Sequence, residues 1–301
     1  MKISIIGTGR VGSAIAFAIT LRRLADELVL IGRTPESGAG DAADLLHASA
    51  FNQPMVVRSA DVDASAGSDI VILTASATRG NAVNRLLSVN QNAALFADLV
   101  PRLASVCPGA VYIVVTNPVE VMTYLTLKRS GLPASRVIGT GTLIDTARYR
   151  SLLSEYVGIH THDIRAYILG EHGESQFAAL TGASAGGQRL DPGDPAFVDL
   201  ADRARNEGHR VFSAKGYTNY AIAAATAMLV EAIATNSRSV FPVSAMLTDY
   251  HGISDVCLSV PAVIGRAGIL KILTVDLSTE EIAKLQASAA VLRSAIASVT
   301  A

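Results

Sequence analysis

Up to Gly141 the chain alternates two patterns of apolar and polar positions. Short β-branched runs ("KISIIG", "ELVLIG", "DIVILTA", "AVYIVVTN", "RVIGTG") alternate with stretches whose apolar residues recur at helical spacing ("VGSAIAFAITLRRLADE", "GDAADLLHASAF", a long segment from Asn84, "VEVMTYLTLKRSG"). The runs are apolar at nearly every position, which predicts strands buried on both faces. Their alternation with helices predicts a parallel sheet covered on both sides. After Gly141 the rhythm changes. A helix ("IDTARYRSLLSEYVG"), a strand ("DIRAYILG"), a loop rich in Gly, Asp and Pro and a long helical region from about Pro195 to Asn236 come first. Strand-like "SVFPVSAML" and "VCLSVPAVIG" follow, and a last helix opens behind a Ser278/Thr279 cap with acids in its first turn.

"GTGRVG" follows the first strand directly and opens the first helix, the context in which GxGxxG has a physical meaning. Gly7 permits the tight turn, Gly9 lets backbone approach a pyrophosphate, and Gly12 lets helix and strand pack closely. Arg10 and Val11 lie between them at the helix N-terminus, whose free N–H groups attract phosphate. The expected fold is therefore α/β: a Rossmann-type doubly wound parallel sheet over residues 1–141, followed by a mixed α+β catalytic domain over 142–301. In such folds an acid about 20 residues past the glycines binds the adenosine ribose. This chain instead has Gly32-Arg33-Thr34 at that point. Missing carboxylate, added space and an arginine together predict a reader of a 2′-phosphate, so NADP is expected over NAD.

Composition narrows the function. Lys and Arg (25) balance Asp and Glu (26), with no basic stripe, which argues against nucleic acid. "MKISIIGTG" reads as a buried strand and not as a leader. The most apolar later stretch, Tyr220 to Ala234, is too short for a bilayer and carries Glu231. Cys107 and Cys257 have no zinc-site or disulfide spacing, so no metal is expected and the cytoplasm is the default address.

Candidate chemistry gathers in three places. "GEHGES" sets His172 between two glycines at a strand end; "LIDTARYR" puts Asp145 and Arg148 on one helical face; "TASATRGNAVNRLL" puts Arg79 and Arg85 in a polar loop after the fourth strand. "VVTNP" adds Asn117 at the end of a core strand. Taken singly, Asp145 and Arg148 could pair only with each other across a helix turn, and Asn117 before Pro118 could be a turn former.

GTGRVG, VVTNP, LIDTAR and GEHGES, in this order and spacing, resemble the lactate/malate dehydrogenase family of 2-hydroxy acid dehydrogenases over essentially the whole chain. "KGYTNYAIA" (Lys215 to Ala223) is similar to its lactate-dehydrogenase-like branch. The resemblance implies that His172 is the general acid and base and that Asp145 orients its imidazole. It implies that Arg148 clamps the substrate carboxylate, that Arg85 arrives with a mobile loop to stabilise charge on the carbonyl oxygen, and that Asn117 positions substrate or nicotinamide. Thr74, Ala75, Ser76 and Val115, at strand ends, complete the implied coenzyme lining. A homodimer or homotetramer is implied as well.

Substrate choice in such proteins is read six residues before the loop arginine, here at Arg79. An arginine there fits the second carboxylate of a 2-keto or 2-hydroxy dicarboxylate, so malate dehydrogenase is the expected activity. The alternatives are L-lactate or another 2-hydroxy acid, and, in a different class, a nicotinamide-binding sensor without catalysis. The loop departs from the family pattern: Ser76 stands where Gly is usual, and "GNAVNR" lacks the customary Pro-Gly.

Overall fold

The computed structural model describes residues 1–77 and 85–300, the side chains of residues 85–88 excepted. Its first half runs β1 (Lys2–Ile6), α1 (Arg10–Leu21), β2 (Glu27–Ile31), α2 (Ala39–Ser49), β3 (Val56–Ala60), β4 (Ile70–Leu73), α3 (Arg85–Val106), β5 (Val111–Val114), α4 (Val119–Ser130) and β6 (Val137–Gly139). These six strands pair in parallel in the order β6-β5-β4-β1-β2-β3. The order reverses between β1 and β4, the crevice where open α/β sheets bind ligands.

The near-continuous apolar runs have a direct structural cause. Ile3, Ile5, Leu28, Leu30, Ile70, Ile72 and Ile113 pack into the core on one face of the sheet, beneath α1. Val29, Ile31, Val71, Leu73, Tyr112 and Val114 alternate with them into a second core on the other face, under α3 and α4. Neither face of these strands meets water, so neither can be polar.

The second half runs α5 (Leu143–Val157), β7 (Ile164–Leu169), β8 (Phe177–Ala185), β9 (Gln188–Arg189), α6 (Pro195–Lys215), α7 (Tyr220–Thr235), β10 (Ser239–Met246), β11 (Cys257–Gly265), β12 (Gly268–Ile272) and α8 (Thr279–Thr300). Strands β7-β8-β9 form a small antiparallel sheet. Strands β10 to β12 instead extend the first sheet: β10 runs antiparallel to β6, with Ser244 opposite Gly139, making one nine-stranded sheet across the 141/142 point.

Three details depart from the sequence expectation. β3 was not expected; its sequence "VVRSA" is only partly apolar because it lies at the sheet edge, with Val56 56% exposed. The long helical region expected from about Pro195 to Asn236 is divided into two helices, α6 ending at Gly216 with φ +79°. β8, β9 and β12 also went unread. The α8 cap matches expectation: the Ser278 hydroxyl accepts the Glu281 N–H (3.2 Å) and the Glu281 carboxylate accepts the Ser278 N–H (2.9 Å), a reciprocal capping box. Among the described residues, no helix is long and apolar enough to cross a membrane.

Candidate active site

The glycine turn sits at the C-terminal end of β1. Gly7 adopts φ +111°, and a Cβ there would lie 2.7 Å from the Ala75 backbone nitrogen, so only glycine fits. A Cβ on Gly12 would lie 1.9 Å from the Gly7 carbonyl oxygen, which is why α1 can pack this close to the strand end. Gly9 faces open space, and as N-cap of α1 it offers no side-chain acceptor to the helix's first N–H groups. A cradle closed at Gly7 and Gly12, open at Gly9, with uncapped helix N–H groups fits a pyrophosphate. Thr74 bridges the turn by donating to the Ile6 (3.1 Å) and Gly7 (2.8 Å) carbonyls.

The other predicted coenzyme residues sit at neighbouring strand ends. Val115 is buried, and Asn117, exposed, precedes Pro118 through a cis peptide bond. Val11 packs on the core beneath α1, and Arg10 stacks over the Tyr217 ring at 4.2 Å, joining the glycine turn to the α6–α7 connection. Asn92 of α3 was missed by sequence reasoning, because a lone Asn inside a helix pattern carries no distinctive signal. It is 2% exposed, accepts from the Ser76 hydroxyl (3.2 Å) and the Ala77 N–H (2.8 Å), and donates to the Asn117 carbonyl (2.9 Å). It thereby ties the ends of β4 and β5 together.

At the β2 end the expected space beside Gly32 is filled: a Cβ there would meet the Ser37 hydroxyl at 1.8 Å. Thr34 is engaged in a capping box with Ser37 at the short helical turn Pro35–Gly38. Arg33 is exposed, on a cleft of about 130 Å³ that also contains Asp61 and Arg102. Of the residues expected to read a 2′-phosphate, only Arg33 carries a charge, in a cleft that adds one anionic side chain, Asp61, and one cationic, Arg102.

The catalytic candidates meet on the other side. Asp145, in the first turn of α5 and 2% exposed, accepts from His172 Nδ1 at 2.6 Å and from the Arg148 guanidinium at 3.2 Å. His172 keeps 29% of its side chain exposed and Arg148 19%, so both remain reachable from solvent. The Arg148 guanidinium lies 3.3 Å from where a Cβ on Gly208 of α6 would sit; glycine there gives it room, a role the sequence did not signal. Arg79 lies outside the described residues, as does the side chain of Arg85, whose backbone opens α3.

Charge in this cluster is strongly coupled. Burial pulls the His172 imidazole down, but the charge and hydrogen bond of Asp145, with the charge of Glu120, outweigh it and raise the group from 6.5 to about 9. Burial raises Asp145, yet His172 and Arg148 hold it below the ordinary carboxylate range. At neutral pH the site therefore holds an imidazolium against a carboxylate. With Nδ1 committed to Asp145, Nε2 carries the other proton outward.

The fold and this site define a class: a protein with a dinucleotide-binding type of glycine turn and a buried carboxylate that holds both a histidine and an arginine. Two family models cover the chain, "lactate/malate dehydrogenase, NAD binding domain" over residues 1–139 and "lactate/malate dehydrogenase, alpha/beta C-terminal domain" over 142–301, and the chain belongs to the lactate/malate dehydrogenase family. It is 39% identical to an L-lactate dehydrogenase of Gloeobacter violaceus over 97% of this chain and 92% of that one. It is 40% identical to an L-lactate dehydrogenase of Thermoanaerobacter pseudethanolicus over 98% of each. Among solved structures, the ligand-bound minor L-lactate dehydrogenase of Enterococcus mundtii superposes with a TM-score of 0.93 at 34% identity, covering 99% of this chain and 98% of that one.

These likenesses overturn the expected malate dehydrogenase activity, because the full-length relatives are L-lactate dehydrogenases. The expectation rested on one loop position, Arg79. A guanidinium selects a second carboxylate only where the closed loop turns it inward, and residue type alone does not determine that.

Proposed function

We propose that this protein is an NAD-dependent L-lactate dehydrogenase, interconverting pyruvate and L-lactate. The observation that carries the reading is the 2.6 Å contact between His172 and Asp145, with Arg148 bound to the same carboxylate. The nicotinamide, when bound, supplies or receives the hydride at substrate C2. The protein's own groups handle the remainder. The Arg148 guanidinium has five N–H donors and gives one to Asp145, leaving the others for the substrate carboxylate. The His172 imidazolium donates its Nε2 proton to the keto oxygen as C2 is reduced, and takes it back from the hydroxyl in the reverse direction. Asp145 keeps the ring in one tautomer and stabilises its positive form. Arg85 has its role, stabilising charge on the carbonyl oxygen, by resemblance to the family.

The coenzyme is read as NAD(H): Ser37 fills the space beside Gly32 and Thr34 caps a turn, which supports a site without a 2′-phosphate pocket. We read the protein as a homo-oligomer, since Phe17 and Leu21 of α1, Leu46 of α2 and Met228 of α7 are apolar and exposed on helices that pack together. Light scattering on the purified protein checks this.

The deciding experiment is kcat/KM for pyruvate and for oxaloacetate, each with NADH and NADPH. Pyruvate with NADH is expected to lead both comparisons by at least about tenfold, roughly 1.4 kcal/mol of discrimination. Absence of turnover with pyruvate would sink the reading.

A further inference from the structure

Glu120, in the first turn of α4, is 1% exposed and has no place in the reaction described above. Its Oε1 accepts from the His172 backbone N–H at 3.0 Å and from the Ser259 hydroxyl at 2.9 Å. Its Oε2 is buried without a hydrogen-bond partner among the described residues. Ser259, on β11, in turn accepts the Thr142 N–H ahead of α5 (3.1 Å). Its backbone exchanges two hydrogen bonds with Gly170 at the start of the catalytic turn, at 3.1 and 3.0 Å. A single carboxyl thus joins α4, β11 and the main chain of the catalytic histidine.

A carboxyl buried with one oxygen empty is costly, and an apolar side chain would fill the same volume without that cost. Packing does not account for a glutamate here; the turn does. We propose that Glu120 is a positioning residue for the reaction, fixing the His172 main chain, locking the catalytic turn to β11 through Ser259, and setting a second carboxyl beside the imidazole. This rests on the dehydrogenase reading for its kinetic consequence only. Burial raises the carboxyl to about 7 while His172 pulls it back down, so the two groups titrate as neighbours. Among the described residues, the other charged or titratable groups facing the pair are Asp145 and Arg148 from α5 and the Cys257 thiol from β11, which burial pushes up. On the turn itself Glu171 accepts from the Ser175 hydroxyl at 2.6 Å.

The test compares wild type, Glu120→Gln and Glu120→Leu. Nuclear magnetic resonance of histidine labelled at Cε1, with His172→Gln for assignment, reads the His172 midpoint in the coenzyme-free protein. Steady-state kinetics read kcat and KM for pyruvate and NADH. Gln keeps the acceptor but not the charge, so the midpoint is expected to fall by about half a pH unit or more. Leu removes both hydrogen bonds, so kcat is expected to fall about tenfold or more across the pH range with the KM for NADH unchanged. A midpoint that moves less than about 0.2 in Gln, or a Leu variant with wild-type kcat, overturns the proposal. Should the Leu variant fail to fold, Ser259→Ala, which cuts the link to Glu120, replaces it in the kinetic arm with a several-fold loss expected. Wild-type protein inert toward pyruvate would refute the dehydrogenase reading, and the midpoint would still decide whether Glu120 acts on His172.

Discussion

Replacing Asp145 by Asn removes one charge and almost no volume from a residue 2% exposed, so it isolates the electrostatic part of the site. The rise of His172 from 6.5 to about 9 corresponds to roughly 3.4 kcal/mol in favour of the imidazolium. Asp145 is its largest favourable cause and Glu120 a smaller one, and between them they also offset the burial and the Arg148 charge that pull the group down, so Asp145 accounts for most of the net rise or more. In Asp145→Asn burial and the Arg148 charge remain, so the imidazole should then titrate at its ordinary value or below it. At about pH 8 the protonated fraction would fall by roughly thirtyfold or more, and pyruvate reduction with it. Loss of the carboxylate that orients the ring adds a further loss that no pH restores. Steady-state kcat/KM for pyruvate between about pH 5.5 and 10 separates the two contributions. The alkaline limb should move down by about two pH units or more, and activity at the acid end should recover the protonation part only. Arg148 keeps an amide oxygen to bond, so its KM contribution should change little. A variant within threefold of wild type, or one whose alkaline limb stays in place, would refute the assignment of Asp145 as the orienting carboxylate.

Further predictions rest on the same geometry. In wild type, kcat/KM for pyruvate reduction should fall as pH rises through about 9, because the imidazolium is the reactant, while lactate oxidation should rise over the same range; parallel profiles in both directions would contradict this. Arg148→Lys should raise the KM for pyruvate and lower kcat/KM by about 10² or more, since an ammonium cannot hold Asp145 and grip a carboxylate with a planar fork at once. Gly7→Ala should weaken NADH binding and lower stability by about 1 to 3 kcal/mol, measured by fluorescence titration and urea unfolding, because φ +111° and the Ala75 backbone leave no place for a methyl group. Arg33→Ala should leave the KM for NADH within about twofold, because the adjacent Thr34 and Ser37 are bonded to each other; a larger change would restore Arg33 to the coenzyme site.

The parallel half of the fold was legible because its physics is local. Strands buried on both faces must be apolar at nearly every position, and β1, β2, β4 and β5 are, whereas edge strand β3 has Arg58 and Ser59 and a half-exposed Val56. The joining of β10 to β6 could not be read. It is a single antiparallel pairing between residues far apart in sequence, Ser244 and Gly139, at a point where a Cβ on Gly139 would meet Thr123 and Ser244. The same limit divided the α6–α7 region: Gly216 was one glycine in a helical pattern until its φ of +79° ended α6.

The site divides along the same line. His172, Asp145 and Arg148 carry chemistry that their residue types announce, and short strand-end and helix-face signals locate them. Asn92, Glu120 and Ser259 carry none by type, since each acts by accepting or donating a bond to backbone that folding brings within reach. Gly208 works by lacking a side chain beside Arg148. The expected preference for NADP over NAD lacks support for a related reason. Gly32, Arg33 and Thr34 were read as three independent contributions to one pocket, but Ser37, three residues further on, takes the space of the first and the hydrogen bonds of the third. The malate expectation failed more simply: it rested on the residue type at one position, Arg79. Residue type reports what a group can do; only its neighbours decide which of those capacities is still free.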